Sequence, residues 1–232
     1  MPDNRAMGRT IVVSDLDGTL STAEVWRGVL VWVREHHPSP AARRFVAVRL
    51  PGVVLVKAGL VNRERFRARW YRDLAQLLAK LPEERLAELA AWVVDEWLWP
   101  ARRAASVAAV QRAIGDARSS DPAARLVLAT GAYQQIADAF ASRLGADQAL
   151  GTPLEAFGGR LTGRLATAVQ TGRQKANAVR SAVDGGVVAA AFGDTGADIP
   201  MLQLARRPVA VAPDRELRRA AERAGWEILD PS

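Results

Sequence analysis

Short apolar runs alternate with longer segments of helical periodicity along most of the chain. The run from Thr10 to Ser14 is rich in β-branched residues and ends in the polar sequence DLDGT. Similar runs lie at Arg125 to Ala129, Val187 to Phe192 and Pro208 to Val211. Apolar runs that end in turn residues are typical of buried strands. Strands that alternate with helices predict a doubly wound, parallel, Rossmann-like α/β sheet, with its ligand crevice beyond the carboxyl ends of the strands.

The pattern changes between residues 22 and 102, where no strand signal is found. Proline residues divide this region, and six of the seven tryptophans fall within it: Trp26, Trp32, Trp70, Trp92, Trp97 and Trp99. Helical periodicity covers three segments of it: Ala23 to Glu35, Arg63 to Lys80 and Glu83 to Trp97. We therefore predict an all-helical cap domain at residues 22–102, inserted into a core domain formed by residues 1–21 and 103–232.

Two further segments have structural interpretations. Around its glycines, the stretch from Gly158 to Gln170 alternates apolar and polar residues, which predicts a β-hairpin or an irregular strand pair. The apolar segment Leu50 to Val61 leaves three interpretations open: cap core, which we favour, a dimer contact or a lipid-facing edge. The oligomeric state is not determined by the sequence.

Composition excludes several classes of protein. A chain of 232 residues that is 49% hydrophobic is long enough to bury a substantial core. We expect no membrane span, because Arg49, Pro51 and other residues interrupt the most apolar stretch. We also expect no secretory signal, because the N-terminal residues are polar. The cytoplasm is the expected location. Cysteine is absent, which excludes disulfides and thiolate chemistry, and the only histidines, His36 and His37, have no apparent serine partner.

The net charge of +7 raises the alternative of nucleic-acid binding. Arginines alternate with acids and alanines along Arg63 to Arg72 and Arg215 to Arg223, as they do on ordinary solvated helix faces. We therefore expect no nucleic-acid partner. A basic surface would also attract an anionic phosphate ester.

Four aspartates follow two of the predicted strands: Asp15, Asp17, Asp194 and Asp198. Carboxylates that converge repel each other unless a proton or a cation intervenes. Mg²⁺ suits this set because it prefers oxygen ligands, whereas zinc would need histidine or cysteine ligands that are lacking here. The spacing of Asp15 and Asp17 suits a nucleophile beside a general acid and base.

Two other elements suit phosphate binding. The hydroxyl of Thr130 and the backbone amide of Gly131 follow a predicted strand near a helix start, where phosphoryl oxygens are readily bound. Lys175 is one of only three lysines in an arginine-rich chain, which indicates a need for a compact ammonium group. Taken singly, each of these residues is also explained as a helix cap, a turn residue or a surface charge. Their joint placement at strand ends and helix starts favours function.

In order along the chain, DLDGT, ATGAY, Lys175 and GDTGADIPML resemble the four motifs of the haloacid dehalogenase superfamily. The resemblance implies that Asp15 is the nucleophile and Asp17 the acid and base. Thr130 and Lys175 would bind the phosphoryl group. Asp194 would ligate Mg²⁺ together with Asp15 and the backbone carbonyl of Asp17, and Asp198 would support the metal site.

An all-helical insertion after the first motif, with LTG in the hairpin region, resembles the phosphoserine phosphatase-like subgroup. Glu24 lies where those enzymes have a glutamate that binds the substrate amino group, although a glutamate at a helix start is also explained by the helix dipole. Gly18 replaces the subgroup's common serine, and Ala197 replaces a frequent asparagine. The cap arginine has no unique match among Arg63, Arg65, Arg67 and Arg69.

The resemblance implies a Mg²⁺-dependent phosphomonoester hydrolase that acts on a small phosphorylated metabolite through an aspartyl-phosphate. A phosphotransferase or mutase would share the first step and differ in the acceptor. An alternative of another class is a non-catalytic or nucleic-acid-binding basic protein.

Overall fold

The structure is a computed structural model that describes residues 10–38 and 63–230, and in the second of these ranges it describes side chains from residue 69 onward. The strands are β1 (Thr10–Ser14), β2 (Arg125–Tyr133), β3 (Gln148–Thr152), β4 (Leu154–Phe157), β5 (Arg160–Leu165), β6 (Val187–Gly193), β7 (Ala205–Val211) and β8 (Glu227–Leu229). The α-helices are α1 (Val25–His36), α2 (Arg63–Gln76), α3 (Arg85–Trp92), α4 (Ala104–Ser120), α5 (Gln134–Leu144), α6 (Gly172–Val183), α7 (Ile199–Leu202) and α8 (Arg215–Ala224).

The main sheet has six parallel strands in the order β3-β2-β1-β6-β7-β8. Its central strand β1 pairs with β2 on one side and β6 on the other, so that Ser14 lies opposite both Leu128 and Phe192. The residues that follow these strands therefore emerge at the same edge, where the sheet order changes direction. The predicted parallel α/β sheet is confirmed.

Alternation along β1 places side chains on both faces of the sheet. Val12 belongs to the cluster that includes residues of α4 and α5, whereas Ile11 and Val13 belong to the cluster that includes residues of α6, α7 and α8. Strands buried on both faces read as continuous apolar runs, which explains why TIVVS was recognisable as a strand. The edge strands β3 and β8 were not predicted, because QALGT and EIL contain few β-branched residues.

In the described part of residues 22–102, the ordered elements are helical, although their bounds differ from those predicted. Helix α2 ends at Gln76 rather than Lys80, and α3 ends at Trp92. The chain then continues as a π-helix, Val93–Leu98. The indole of Trp97 lies so close to Gly28 in α1 that a Cβ atom there would come within 2.8 Å of it. This close approach explains why α1 has a glycine at a buried position.

The described helices between residues 22 and 102 are called the helical layer below. The two ends of this layer meet beside the loop that follows β1. The Ser21 hydroxyl donates to the carbonyl of Leu98 at 2.9 Å, and the backbone amide of Thr22 donates to Ala101 at 3.0 Å. These contacts lie at the predicted boundaries of the cap domain, and the division of the chain into two domains stays a prediction. The segment Leu50 to Val61 lies outside the described residues.

The predicted hairpin lies slightly earlier than expected. Gly158 and Gly159 have positive φ values of 59° and 73° and form the turn between β4 and β5, so the glycines mark the middle of the hairpin rather than its start. Strand β5 also bonds to the chain after α2, because Leu161 accepts from the amide of Lys80 at 2.8 Å and donates to Leu81 at 2.9 Å. The hairpin is thereby attached to the helical layer.

Among the described residues, none of the helices has both the length and the apolar character needed to cross a membrane.

Candidate active site

Asp15 is the first residue after the central strand, and its side chain is almost fully buried, with 2% exposed. Its backbone amide donates to the carbonyl of Phe192 at 2.9 Å, which extends the pairing of β1 with β6 by one residue. The Asp15 carboxylate accepts from the ammonium of Lys175 at 2.6 Å. The two residues are 160 positions apart in the chain, and the sheet and α6 bring them together. From the sequence, only the order of the motifs indicated that they belong to one site.

Lys175 lies in the first turn of α6 and is buried between two carboxylates. Its Nζ atom is 2.6 Å from Asp15 Oδ1 and 2.7 Å from Asp198 Oδ1. Burial by itself lowers the pKa of Lys175, but the charges and hydrogen bonds of Asp15 and then Asp198 outweigh it and raise the pKa above its ordinary value. Lys175 therefore remains a cation at neutral pH.

Asp194 and Asp198 follow β6 and complete a group of carboxylates with Asp15. One oxygen of each of the three lies within 4.8 Å of the others. The hydroxyl of Thr19 joins two of them, at 3.4 Å from Asp15 Oδ2 and 3.3 Å from Asp194 Oδ1. Thr19 was not predicted as a site residue, although its place in DLDGT was the signal that could have assigned it to the site.

A short helical turn orients the Asp198 carboxylate. Asp198 Oδ2 accepts from the amide and the hydroxyl of Thr195, at 3.1 and 3.0 Å, in a capping box. Its Oδ1 atom remains directed to Lys175. The capping box closes the 3₁₀ turn Gly196–Asp198, whereas the following helix α7, of only four residues, has no side-chain cap.

The carboxylate of Asp17 is bonded to the helical layer instead. Asp17 Oδ1 accepts from the backbone amide of Val25, the first residue of α1, at 2.9 Å. Asp17 Oδ2 accepts from the hydroxyl of Tyr71 in α2 at 3.1 Å. The Asp17 side chain is therefore not part of the three-carboxylate group, and only its backbone carbonyl is left as the metal ligand that the resemblance implies. Tyr71 was not predicted, because no local pattern connects it with Asp17.

Gly18 is required by the geometry of this loop. It has a φ of 84°, and a Cβ atom at this position would overlap the carboxylate of Asp194. A serine, the residue common at this position in the phosphoserine phosphatase-like subgroup, would displace Asp194 here. Arg103 supports the same loop, because its Nε atom donates to the Gly18 carbonyl at 2.9 Å.

Thr130 and Gly131 lie in the last part of β2, which continues to Tyr133, rather than in a turn after it. The pairing of β2 with β3 shifts in register between Ala129 and Tyr133, so the strand is irregular at this point. The Thr130 hydroxyl accepts from the amide of Ala132 at 3.2 Å. Because Leu128 lies opposite Ser14, this irregular segment emerges beside Asp15 at the carboxyl edge of the sheet.

Glu24 precedes the first residue of α1 and makes no side-chain capping bond. Its carboxylate pairs with Arg27 at 2.8 Å, with about half of each side chain exposed. Its carbonyl accepts from the indole of Trp97 at 3.2 Å. The role of Glu24 in binding a substrate amino group stays a prediction, since the acid already has a cationic partner. Among the candidates for the cap arginine, Arg69 is the one whose side chain is described. Its Nε atom lies 3.9 Å from Asp73 Oδ2, and the side chain is largely exposed.

The donor set suits a hard divalent cation. Among the described residues, the group has three carboxylates, and the Lys175 ammonium contacts two of them, which leaves an excess of negative charge. The available ligand atoms are oxygens, since the chain has no cysteine and its two histidines are at the end of α1. Mg²⁺ prefers such oxygen ligands and commonly uses few protein carboxylates together with water and phosphate.

This sheet and this arrangement of aspartates and lysine are typical of haloacid dehalogenase-like α/β proteins. The chain belongs to the haloacid dehalogenase-like hydrolase family, whose sequence model matches residues 12–203. Among curated relatives, it is 40% identical over 114 residues to phosphoserine phosphatase SerB1 of Mycobacterium tuberculosis. That alignment covers 47% of this chain and 37% of the relative, so the matched region is well under half of the relative's length.

Solved structures share the fold over nearly the whole chain. A protein of unknown function from Bordetella pertussis superposes with a TM-score of 0.77 at 21% identity, covering 97% of this chain and 100% of that one. A probable phosphoserine phosphatase from Vibrio cholerae superposes with a TM-score of 0.63 at 19% identity, covering 97% of this chain and 61% of that one. At these identities the likeness shows the fold alone.

Proposed function

We propose that this protein is a Mg²⁺-dependent phosphomonoester hydrolase that acts on a small phosphorylated metabolite through an aspartyl-phosphate on Asp15. The observation that supports the proposal most is the buried contact of Asp15 with Lys175, beside Asp194 and Asp198. A buried ion pair is costly to maintain and adds little stability, so its presence at the edge of the sheet favours a chemical role.

In the first step, a carboxylate oxygen of Asp15 attacks phosphorus in line with the ester bond. The P–O bond to the leaving group breaks as the bond to Asp15 forms, and Asp17 donates a proton to the departing oxygen. In the second step, Asp17 accepts a proton from a water molecule whose oxygen attacks phosphorus. The bond to Asp15 then breaks, and inorganic phosphate is released.

Lys175 would balance the negative charge of Asp15 and of the phosphoryl oxygens during both steps. The Thr130 hydroxyl and the Gly131 amide would bind the same oxygens. When bound by Asp15, Asp194 and the Asp17 carbonyl, with Asp198 in support, Mg²⁺ would supply further positive charge at the phosphoryl group. Burial of these groups strengthens the electrostatic stabilisation that they provide.

The substrate is proposed only as a small phosphate ester. The M. tuberculosis relative is named a phosphoserine phosphatase, but the shared region is a minority of that protein. The Glu24 side chain, which would bind the amino group of phosphoserine, is paired with Arg27. A cytoplasmic location stays a prediction from the sequence.

The alternative functions are less well supported. A phosphotransferase or mutase would use the same Asp15 chemistry, with a hydroxyl acceptor in place of water. A nucleic-acid-binding role would need free basic side chains, yet many described arginines are paired with acids: Arg27, Arg69, Arg85, Arg118, Arg143, Arg164, Arg207 and Arg218. Surface arginines arranged in this way are typical of a solvated protein face.

We expect the purified protein to hydrolyse p-nitrophenyl phosphate in the presence of Mg²⁺ and to release one inorganic phosphate for each nitrophenol. The test repeats the assay with added glycerol or glucose as acceptor, and then with a panel of phosphorylated metabolites. Nitrophenol release in excess of inorganic phosphate would instead support a phosphotransferase. No turnover of any ester would contradict the proposal.

Replacing Lys175 with Met is expected to lower kcat by about 10²–10³-fold, comparable to the loss of one preorganised group that stabilises transition-state charge. In metal-free buffer, the free energy of unfolding should also fall, by about 3–5 kcal/mol, because Asp15 and Asp198 lose their cation. Lys80→Met is the matched control, since Lys80 is exposed in the turn that follows α2. Equal kcat values for the two variants would contradict the role of Lys175.

A further inference from the structure

We infer that Tyr71, a residue of the helical layer, is a positioning residue that orients the Asp17 carboxylate toward the leaving group. The inference rests on the proposed function, because it assumes that Asp17 is the general acid. Tyr71 lies 54 positions from Asp17 in sequence, and its hydroxyl donates to Asp17 Oδ2 at 3.1 Å.

Both oxygens of Asp17 are bonded to groups of the helical layer. The backbone amide of Val25 donates to Oδ1 at 2.9 Å, and the Tyr71 hydroxyl donates to Oδ2. Val25 is the first residue of α1, where backbone amides have no acceptor within the helix. Two donors from different helices restrict rotation of the carboxylate about both of its side-chain torsions. The Tyr71 hydroxyl is the donor of this pair that a substitution can remove.

Tyr71 is itself held by the core sheet. It is buried, with 1% exposed, and its carbonyl accepts from the hydroxyl of Tyr133 at 2.9 Å. The two tyrosine rings meet edge to face, with centroids 5.7 Å apart. The Tyr71 ring also lies beside Gly131, since a Cβ atom built there would be 3.9 Å from Tyr71 Cε2. The end of β2 therefore determines where the hydroxyl of Tyr71 points.

This arrangement connects the acid to the proposed phosphate-binding segment. Tyr133 and Gly131 belong to the same irregular end of β2 as Thr130. Tyr71 therefore contacts both Asp17 and the segment at which the phosphoryl group would bind. It would thus fix the position of the Asp17 carboxylate relative to the leaving oxygen of an ester bound at Thr130 and Gly131. Proton transfer depends steeply on the distance and angle between donor and acceptor, so a carboxylate that rotates freely would protonate the ester oxygen less often.

The effect of Tyr71 should therefore depend on the leaving group. Phenyl phosphate and p-nitrophenyl phosphate have similar shapes, but nitrophenolate departs readily without a proton and phenolate does not. For Tyr71→Phe, we expect kcat/KM to fall about tenfold or more with phenyl phosphate, which is part of the 10²–10⁴-fold that a general acid typically contributes. With p-nitrophenyl phosphate, we expect a change of less than about twofold.

Two variants serve as comparisons. Tyr133→Phe removes the hydroxyl that holds the Tyr71 carbonyl but leaves the bond from Tyr71 to Asp17, so it should show the same ester dependence as Tyr71→Phe to a smaller degree. In the Asp17→Asn background, Tyr71→Phe should have no further leaving-group effect, because the group that it positions is gone. Thermal melting of each variant shows whether it is folded.

Equal losses on both esters for Tyr71→Phe, or a larger ester dependence in Tyr133→Phe than in Tyr71→Phe, would overturn the inference. So would no change for Tyr71→Phe on phenyl phosphate. These outcomes differ from a failure of the proposed function, which would appear as the wild-type protein's inability to hydrolyse either ester.

Discussion

Replacing Asp15 with Asn is expected to lower kcat for p-nitrophenyl phosphate by several orders of magnitude, about 10⁴-fold or more, as for other nucleophile removals. An amide has nearly the same volume as a carboxylate but is a far weaker nucleophile, so it would not form the phosphorylated intermediate. Asp15 is the residue that the central strand places against Lys175. The loss should therefore appear in the chemical step, with little change in the fold.

The measurement is steady-state kinetics of the purified variant, together with a test for labelled phosphate on the protein. Wild-type protein quenched in acid after exposure to radiolabelled substrate should retain label, and Asp15→Asn should retain none. Asp116→Asn is the matched control, because Asp116 is exposed on α4 and away from the site. Undiminished turnover by Asp15→Asn would refute the proposed nucleophile.

Removal of divalent metal is expected to abolish hydrolysis, and added Mg²⁺ should restore it. The physical reason is that three carboxylates are clustered: one oxygen each of Asp15, Asp194 and Asp198 lies within 4.8 Å of the others. A cation that binds the folded protein alone also stabilises it, by about 2.7 kcal/mol at a hundred times its dissociation constant. Mg²⁺ should therefore raise the Tm of the wild-type protein after treatment with EDTA.

The Tm measurement separates metal binding from catalysis. Asp194→Asn should lose most of the rise in Tm, because it removes a carboxylate from the group. Asp214→Asn is the comparison variant, because the Asp214 carboxylate caps α8 by accepting from the amide of Leu217 at 2.9 Å. This variant should keep the full rise in Tm with Mg²⁺. Hydrolysis that persists in EDTA, or a rise in Tm that is the same in Asp194→Asn and the wild type, would contradict the assigned metal site.

Much of the core could be predicted because its strands are buried on both faces. Continuous apolar runs such as TIVVS, followed directly by polar residues, located the central strands and the edge at which their ends meet. The edge strands β3 and β8 escaped prediction because exposure on one side weakens the apolar pattern. The division of the predicted helix at Glu83 to Trp97 into α3 and a π-helix also has no signal in periodicity.

The contacts of the site were less predictable. Tyr71 and Asp17 meet across 54 residues, and Thr19 joins two carboxylates that are 179 positions apart (194 − 15). Glu24 was proposed to bind substrate, but its contact with Arg27 is of the ordinary kind between neighbours on a helix. Periodicity reports which face of an element is buried and does not report which side chains meet across elements.

The amino-acid sequence by itself determined the order of the four motifs, the parallel sheet and the residue types available for chemistry, because these depend on local patterns and on composition. The tertiary structure alone decided that Lys175 lies between Asp15 and Asp198, that Gly18 leaves room for Asp194, and that a tyrosine of the helical layer bonds to Asp17. Such contacts join residues far apart in the chain, and only packing brings them within the few ångströms over which hydrogen bonds act.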